Sequence, residues 1–277
     1  MLKIDDNSCL KIIKRPIGNE HDAQEIQELI ISDTLKKERI EGIQKIEEVC
    51  VANNYIFIKS KFYQGPTLEK YIEEQKGYEN ENKIKLVLEH FLQIVRALKN
   101  LHDSGFVHLD LKSDNCIFAE NDCNTLVIID LGTARLEKDQ NPTYEKQEEI
   151  IGSIRNYSYN VAQSIIDKDG YSGKKYDIWC LGLILYHMYF GKELFPKYSF
   201  ANILNAGFSF GRKLEYIKKV LSDRKNFDIN KDSKMKTLGD NKIIETLLTN
   251  ILTKEDKNRM GLDNIITTIE EYLNKSK

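Results

Sequence analysis

The order of hydrophobic patterns predicts an α+β fold, a small strand-rich layer followed by a mainly helical remainder. Three observations carry this expectation. The first 62 residues hold short alternating or β-branched runs broken by turn residues. From Thr67 onward, apolar residues recur at helical spacing. Between helical stretches stands His108–Gly132, HLDLKSDNCIFAENDCNTLVIIDLG, where two polar clusters flank an apolar run at Leu126–Ile129.

Residues 8–14, SCLKIIK, read as a strand, and a polar turn through Pro16 and Gly18 follows. Residues 22–35 place Ile26, Leu29, Ile30 and Leu35 at near-helical spacing after Asp22, a candidate N-cap. Lys45–Ala52 and Tyr55–Phe62 read as a hairpin joined by Asn53-Asn54, a pair that tolerates positive φ. Gln64-Gly65-Pro66 breaks this pattern, so 1–64 is expected as one unit and 65–277 as a second, helical one. Ile84, Val87, Leu88, Phe91, Val95, Leu98 and Leu101 line one face of a long helix that ends near Ser104-Gly105. Residues 133–160 are polar, lack periodicity and are expected as a loop that is functional or disordered. Residues 177–190 are apolar on nearly every face and predict a buried central helix, and two amphipathic helices close the chain.

Composition narrows the function classes. The 41 basic and 43 acidic residues give a net charge of −2, which favours neither nucleic acid nor an anionic membrane as partner. Five scattered cysteines without a CxxC pair point to reduced thiols and a cytoplasmic setting rather than a disulfide framework or zinc site. The N-terminus lacks the apolar core of a signal peptide. The most apolar stretch, Leu181–Phe190, is about half the roughly 20 residues that span a bilayer, so no membrane span is expected.

The 108–132 stretch brings two acidic groups, an amide and a lysine together at the ends of a hairpin. Such a set suits magnesium and phosphate beside a hydroxyl nucleophile, and the chemistry it suggests is phosphoryl transfer. Each residue alone has an ordinary reading, since Asp and Asn favour turns and a lysine is usually solvated; five at this spacing do not.

The spacing His108-x-Asp110-x-Lys112-x-x-Asn115, then a strand and Asp130-x-Gly132, resembles the eukaryotic-type protein kinase family. Tyr176-Asp-Ile-Trp-Cys-Leu-Gly-Leu-Ile-Leu-Tyr186 followed by Gly191-Lys-Glu-Leu-Phe195 is similar to that family's central helix, with Asp177 at its start. The resemblance implies a bilobal fold with a reduced β-rich upper lobe, and ATP- and Mg2+-dependent phosphorylation of Ser/Thr hydroxyls on a protein substrate. By resemblance Asp110 orients the hydroxyl, Lys112 neutralises the transferring phosphate as in serine/threonine kinases, and Asn115 and Asp130 hold Mg2+. Lys11 matches the lysine on the α- and β-phosphates, with Glu25 as its ion-pair partner ahead of Glu28 or Glu20. Lys61, Phe62 and Tyr63 fall at the adenine-binding hinge, with Ser60 before them at the gatekeeper position. Leu29, His108 and Leu131 fall in the apolar column that links the lobes.

Several positions depart from the family pattern. Ten residues precede Lys11 and none is glycine, so a truncated or naturally minimal upper lobe without a Gly-rich loop is implied. Gly170–Lys175 is no substitute, for it lacks the P-loop spacing. Leu109 replaces the arginine that pairs with a phosphorylated loop, so activity is expected not to need phosphorylation at Thr143, Tyr144 or Ser153. Ser153 is expected near Asp110 and Lys112. The usual Ala-Pro-Glu reads Asn-Val-Ala-Gln at 160–163, and Arg259 must find another partner or lie in solvent. A catalytically silent scaffold, a small-molecule phosphotransferase and a nucleotidyl transferase share parts of this pattern and remain alternatives.

Overall fold

The computed structural model describes residues 2–14, 23–74, 83–136, 150–195, 210–239 and 241–275. The N-terminal layer is a four-stranded antiparallel sheet in the order β1 (Leu2–Lys3), β2 (Ser8–Lys14), β4 (Tyr55–Lys61), β3 (Ile46–Ala52), with helix α1 (Ala23–Lys37) after β2. The Asn-Asn hairpin forms as its sequence predicts, and Asn53 takes φ 51°. Strand β1 is an addition to the expected strands. Asp5 Oδ1 accepts the Asn7 N–H at 2.8 Å and Ile4 N–H donates to Ser8 O at 3.0 Å, which turns the chain back onto β2. Such Asx turns leave little periodic signal in two-residue strands.

The remainder is helical: α2 (Leu68–Glu74), α3 (Lys83–Asp103), α4 (Tyr159–Asp167), α5 (Gly173–Phe190), α6 (Phe210–Lys225), α7 (Lys242–Ile251) and α8 (Leu262–Lys275). The apolar stripe of α3 is buried as predicted, and Gly105 ends the helix at φ 83°. Helix α5 begins where Ser172 Oγ accepts the Lys175 N–H and ends at Gly191, φ 65°. It is buried on nearly all sides, and Leu252 and Ile251 press so closely on Gly182 that a Cβ there would lie 2.6 Å from Leu252 Cδ2. Within the stretch expected as a loop, residues 154–156 form a short 3-10 turn and α4 begins at Tyr159. Thr143 and Tyr144 lie outside the described residues.

Between α3 and α4 the chain runs through β5 (Phe106–Val107), β6 (Cys116–Phe118), β7 (Leu126–Ile128) and β8 (Arg135–Leu136). Strands β6 and β7 form the expected hairpin with Cys116 opposite Ile128, while β5 pairs with β8. The hairpin register brings Asn115 opposite Ile129, whose N–H donates to Asn115 O at 2.9 Å, and thus beside Asp130.

Asp177, at the start of α5, fixes the other end of this assembly. Its carboxylate is fully buried and accepts the backbone N–H of His108 at 2.8 Å and of Leu109 at 2.9 Å, with His102 Nε2 at 2.9 Å. Leu109 itself sits at φ 64°, so a residue with a Cβ is held in a left-handed conformation here. Removing the carboxylate in Asp177→Ala would orphan two buried N–H groups and a histidine, each at about 1–3 kcal/mol. Denaturant unfolding is expected to show a loss of at least ~3 kcal/mol for Asp177→Ala and less for Asp177→Asn, which keeps one acceptor. A loss for the alanine variant below about 1 kcal/mol would contradict this role.

Candidate active site

The loop between β5 and β6 carries Asp110, Lys112 and Asn115, and the turn after β7 carries Asp130. Lys112 Nζ lies 2.8 Å from Asp110 Oδ2 and 3.1 Å from Ser153 Oγ, so the three groups expected together do meet. Asn115 Nδ2 donates to Asp110 O at 2.8 Å. Asp110 Oδ1 is buried and has no hydrogen-bond partner among the described residues. A buried carboxylate oxygen without a donor is costly and marks where a donor is to be received.

Gly152 closes this side of the site. It adopts φ +72°, and a Cβ on it would lie 2.3 Å from Leu109 O and 3.3 Å from Asp110 Oδ1. Only glycine lets this segment pass so close to the loop. Downstream, Trp179 Nε1 donates to Asn156 O at 2.9 Å, tying the segment to α5, and Tyr157 Oη donates to Ile151 O at 2.7 Å within it.

Across the cleft, Lys11 Nζ pairs with Glu28 Oε1 and lies 3.2 Å from Asp130 Oδ1. Among the described residues the helix partner of Lys11 is thus Glu28, one of the three candidates the sequence offers. Glu25 and Glu28 share a face of α1 at a spacing of three, so periodicity does not separate them; how far α1 advances along the sheet decides between them. Glu20 and the side chain of Glu25 lie outside the described residues. Burial alone would lower the Lys11 pKa, but Asp130 and Glu28 outweigh it and hold the ammonium above its ordinary value. Burial likewise works to raise the Asp130 pKa, and the Lys11 charge and hydrogen bond hold it below the ordinary carboxylate value. Asp130 takes φ 59°, ψ 75°, a left-handed conformation that costs a non-glycine residue about 1–2 kcal/mol.

Lys61 ends β4, and Phe62 and Tyr63 follow it, next to Ser60, which lines the pocket with Lys11 and Asp130. Phe62 N–H donates to Asn7 O at 2.7 Å, so that donor is already used, whereas the Tyr63 N–H has no partner among the described residues. The Tyr63 hydroxyl accepts the Lys45 N–H at 3.2 Å. His108 is fully buried, Leu131 is buried and Leu29 packs half-buried against the core.

Arg259 does find partners. It is buried and donates to the carbonyls of Lys175, Thr253 and Lys254 and to Asn160 Oδ1 at 3.1 Å, so a neutral amide stands where a carboxylate was missed. Burial lowers its pKa to about 10. The sequence reading also missed a charged cluster beside Lys112. Arg155 bridges Asp114 at 3.2 Å and Glu193 at 2.6 Å, and Glu69 Oε2 accepts the Ser113 hydroxyl at 3.3 Å. No local motif joins residues from α2, the catalytic-type loop and the end of α5, so nothing short of the fold could assemble this set.

The chemistry of the donor set fits a nucleotide with Mg2+. Asp130 and the Asn115 amide oxygen are hard oxygen ligands, and Mg2+ takes one or two such groups together with waters and phosphates. Among the described residues no group of three or more His, Cys, Asp or Glu is placed to hold a metal. The Lys11 ammonium beside Asp130 is a cation of the kind that phosphate oxygens accept.

Comparison with known proteins adds the following. The protein kinase domain family model matches residues 3–269. The chain is similar to fatty acyl-CoA synthetase and RNA processing-associated kinase 1 of Saccharomyces cerevisiae, 30% identical over 179 residues, covering 64% of this chain and 19% of that protein. It is 29% identical over 206 residues to serine/threonine-protein kinase PSK2 of the same yeast, covering 70% and 17%. Serine/threonine-protein kinase Nek1 of Mus musculus is 30% identical over 195 residues, covering 65% and 15%. The chain thus matches less than a fifth of the length of each of these relatives.

The cluster at Glu69 generates a pH signature. Burial, then the nearby Asp114 carboxylate, raise the Glu69 pKa from 4.5 to about 7. A carboxyl with a raised folded-state pKa contributes stability below its unfolded value and loses it as pH rises through the folded value. Between pH 4.5 and about 7, wild-type Tm should therefore fall relative to Glu69→Gln. His187, lowered to about 4 by burial and Arg155, is present in both proteins. A Tm gap that stays constant across this window would contradict the shift.

Proposed function

The chain belongs to the protein kinase family, and from that premise we propose that it transfers the γ-phosphoryl group of ATP, with Mg2+, to Ser/Thr hydroxyls of a protein substrate. The observation that carries this reading is the buried Asp110 Oδ1, which lacks a donor while its partner oxygen is held by Lys112. A substrate hydroxyl is the donor that oxygen calls for. Asp110 orients the hydroxyl and accepts its proton, and Lys112 balances negative charge on the moving phosphoryl group. Ser153 Oγ already accepts a bond from Lys112 Nζ, which supports the access of a serine- or threonine-sized hydroxyl to this position.

On the nucleotide side, Lys11, held by Glu28, is assigned to the phosphates, and Asn115 and Asp130 to Mg2+. When bound, the metal neutralises charge on the phosphate oxygens. The Tyr63 N–H and the backbone from Lys61 to Tyr63 are assigned to the base, with the lobe boundary at Gln64-Gly65. Gly65 supports that boundary, since a Cβ would lie 2.5 Å from Glu120 O and 2.6 Å from Phe118 O. Leu109 is buried and offers no charge to a phosphorylated loop, which supports activity without loop phosphorylation. Among the described residues no helix is long and apolar enough to cross a membrane.

Incubation with γ-labelled and, separately, α-labelled ATP plus Mg2+ and a generic protein substrate tests the proposal. Label is expected from the γ position only, to be lost in Asp130→Ala and to persist after phosphatase treatment of the enzyme. Transfer of α-label would point to nucleotidylation instead. No transfer, together with no thermal stabilisation by ATP, would overturn the enzymatic reading.

A further inference from the structure

Residues 42–44 run beside the end of β7 as a short parallel ladder. Ile128 N–H donates to Gly42 O and Gln44 N–H to Ile128 O, each at 2.8 Å, and Ile43 bridges Ile128 in parallel. The next rung would come from the Asp130 N–H. At that point the neighbouring chain leaves to pair with β4, for Lys45 O accepts the Lys61 N–H at 3.0 Å and Lys45 N–H goes to the Tyr63 hydroxyl. The Gln44 side chain fills the gap: its Oε1 accepts the Asp130 N–H at 3.1 Å.

Two features make this more than packing. Gln44 is itself buried, and its other amide group donates from Nε2 to the buried Ser60 Oγ at 2.8 Å. The orientation of the amide is forced, since a backbone N–H can only donate and must face the oxygen. Ser60 Oγ in turn lies 3.2 Å from Cys9 Sγ on β2, so the amide is gripped from the sheet. The residue it holds, Asp130, occupies a left-handed conformation and directs its carboxylate toward Lys11. A side chain that takes up the N–H in that conformation favours it over alternatives that would leave the donor unmet.

We propose that Gln44 is a positioning residue for the metal site: anchored by Ser60, it fixes the Asp130 backbone so that the carboxylate is presented to Mg2+. This rests on the phosphotransfer reading, in which Asp130 is a metal ligand. No sequence motif flags Gln44; a lone glutamine after a Gly-Ile pair reads as an ordinary loop residue.

The variant that tests it is Gln44→Met, which keeps side-chain length and removes the acceptor. Methionine is chosen over alanine because the cavity lined by Gln44, Ser60 and Asp130, about 20 Å³, has room for one water that could replace the lost acceptor. Two readouts are needed. Hydrogen exchange at the Asp130 amide in ligand-free protein is expected to quicken in Gln44→Met. Binding of Mn2+, followed by the electron paramagnetic resonance of the free ion in the presence of ADP, is expected to weaken about tenfold. ADP affinity without metal is expected to stay within about twofold of wild type, a split that general loosening of the cleft would not give. Ser60→Ala is expected to move both readouts the same way by a smaller factor, and it decides the matter if Gln44→Met loses its cooperative melt. Unchanged Asp130 exchange, unchanged Mn2+ affinity, or an equal loss of metal-free ADP binding would overturn the proposal. Wild-type protein that binds no Mn2+ with ADP overturns the phosphotransfer reading and this proposal with it, an outcome recognised without any variant.

Discussion

The Asp177 carboxylate is the interaction on which the site geometry depends. A chain that crosses the core between β5 and β6 must satisfy the N–H groups of His108 and Leu109 away from water, and one fully buried carboxylate meets both. A buried carboxylate is itself expensive, and the donors converging on it, His102 included, offset that expense. The result is mutual. Helix α5 supplies a rigid, all-round buried platform, and the loop bonded to its first turn inherits that rigidity two residues before Asp110. From there the hairpin register sets Asn115 beside Asp130, and Gly152 allows the downstream segment to close over Leu109 O.

Charge across the cleft follows a second rule, that burial opposes ionisation unless an opposite charge is near. At Lys11 and Asp130 the partners prevail, and both groups are held in their charged forms. Around Arg155 the balance is different. Two carboxylates, Asp114 and Glu193, share one guanidinium, and burial beside Asp114 pushes the neighbouring Glu69 up to about 7. Arg259 shows the neutral solution: carbonyls and an amide oxygen accept from its donors, while burial lowers its pKa.

What was legible in the sequence is what local periodicity and short spacing encode. The strand at Ser8–Lys14, the Asn-Asn hairpin, the α3 stripe and the all-apolar α5 declare themselves by period, and Asp110, Lys112, Asn115 and Asp130 by their spacing around one hairpin. Glu28 was named but ranked second to Glu25, because residues three apart on one helix face differ only by where the helix docks. Strand β1 depends on an Asx turn and two residues, too short for a pattern. Gln44, Asn160 and the Arg155 cluster were not legible, because each acts through a partner tens of residues away that only the fold supplies.

The central claim is that a loop pinned by Asp177 presents Asp110 to a substrate hydroxyl. It is tested most directly by the single-turnover rate of phosphoryl transfer in Asp110→Asn, at saturating ATP and Mg2+. An amide keeps the shape and cannot take the proton, so the rate should fall by at least about a hundredfold while the ATP dissociation constant stays within about twofold. A rate within about tenfold of wild type would contradict it, placing the chemistry elsewhere in the cleft.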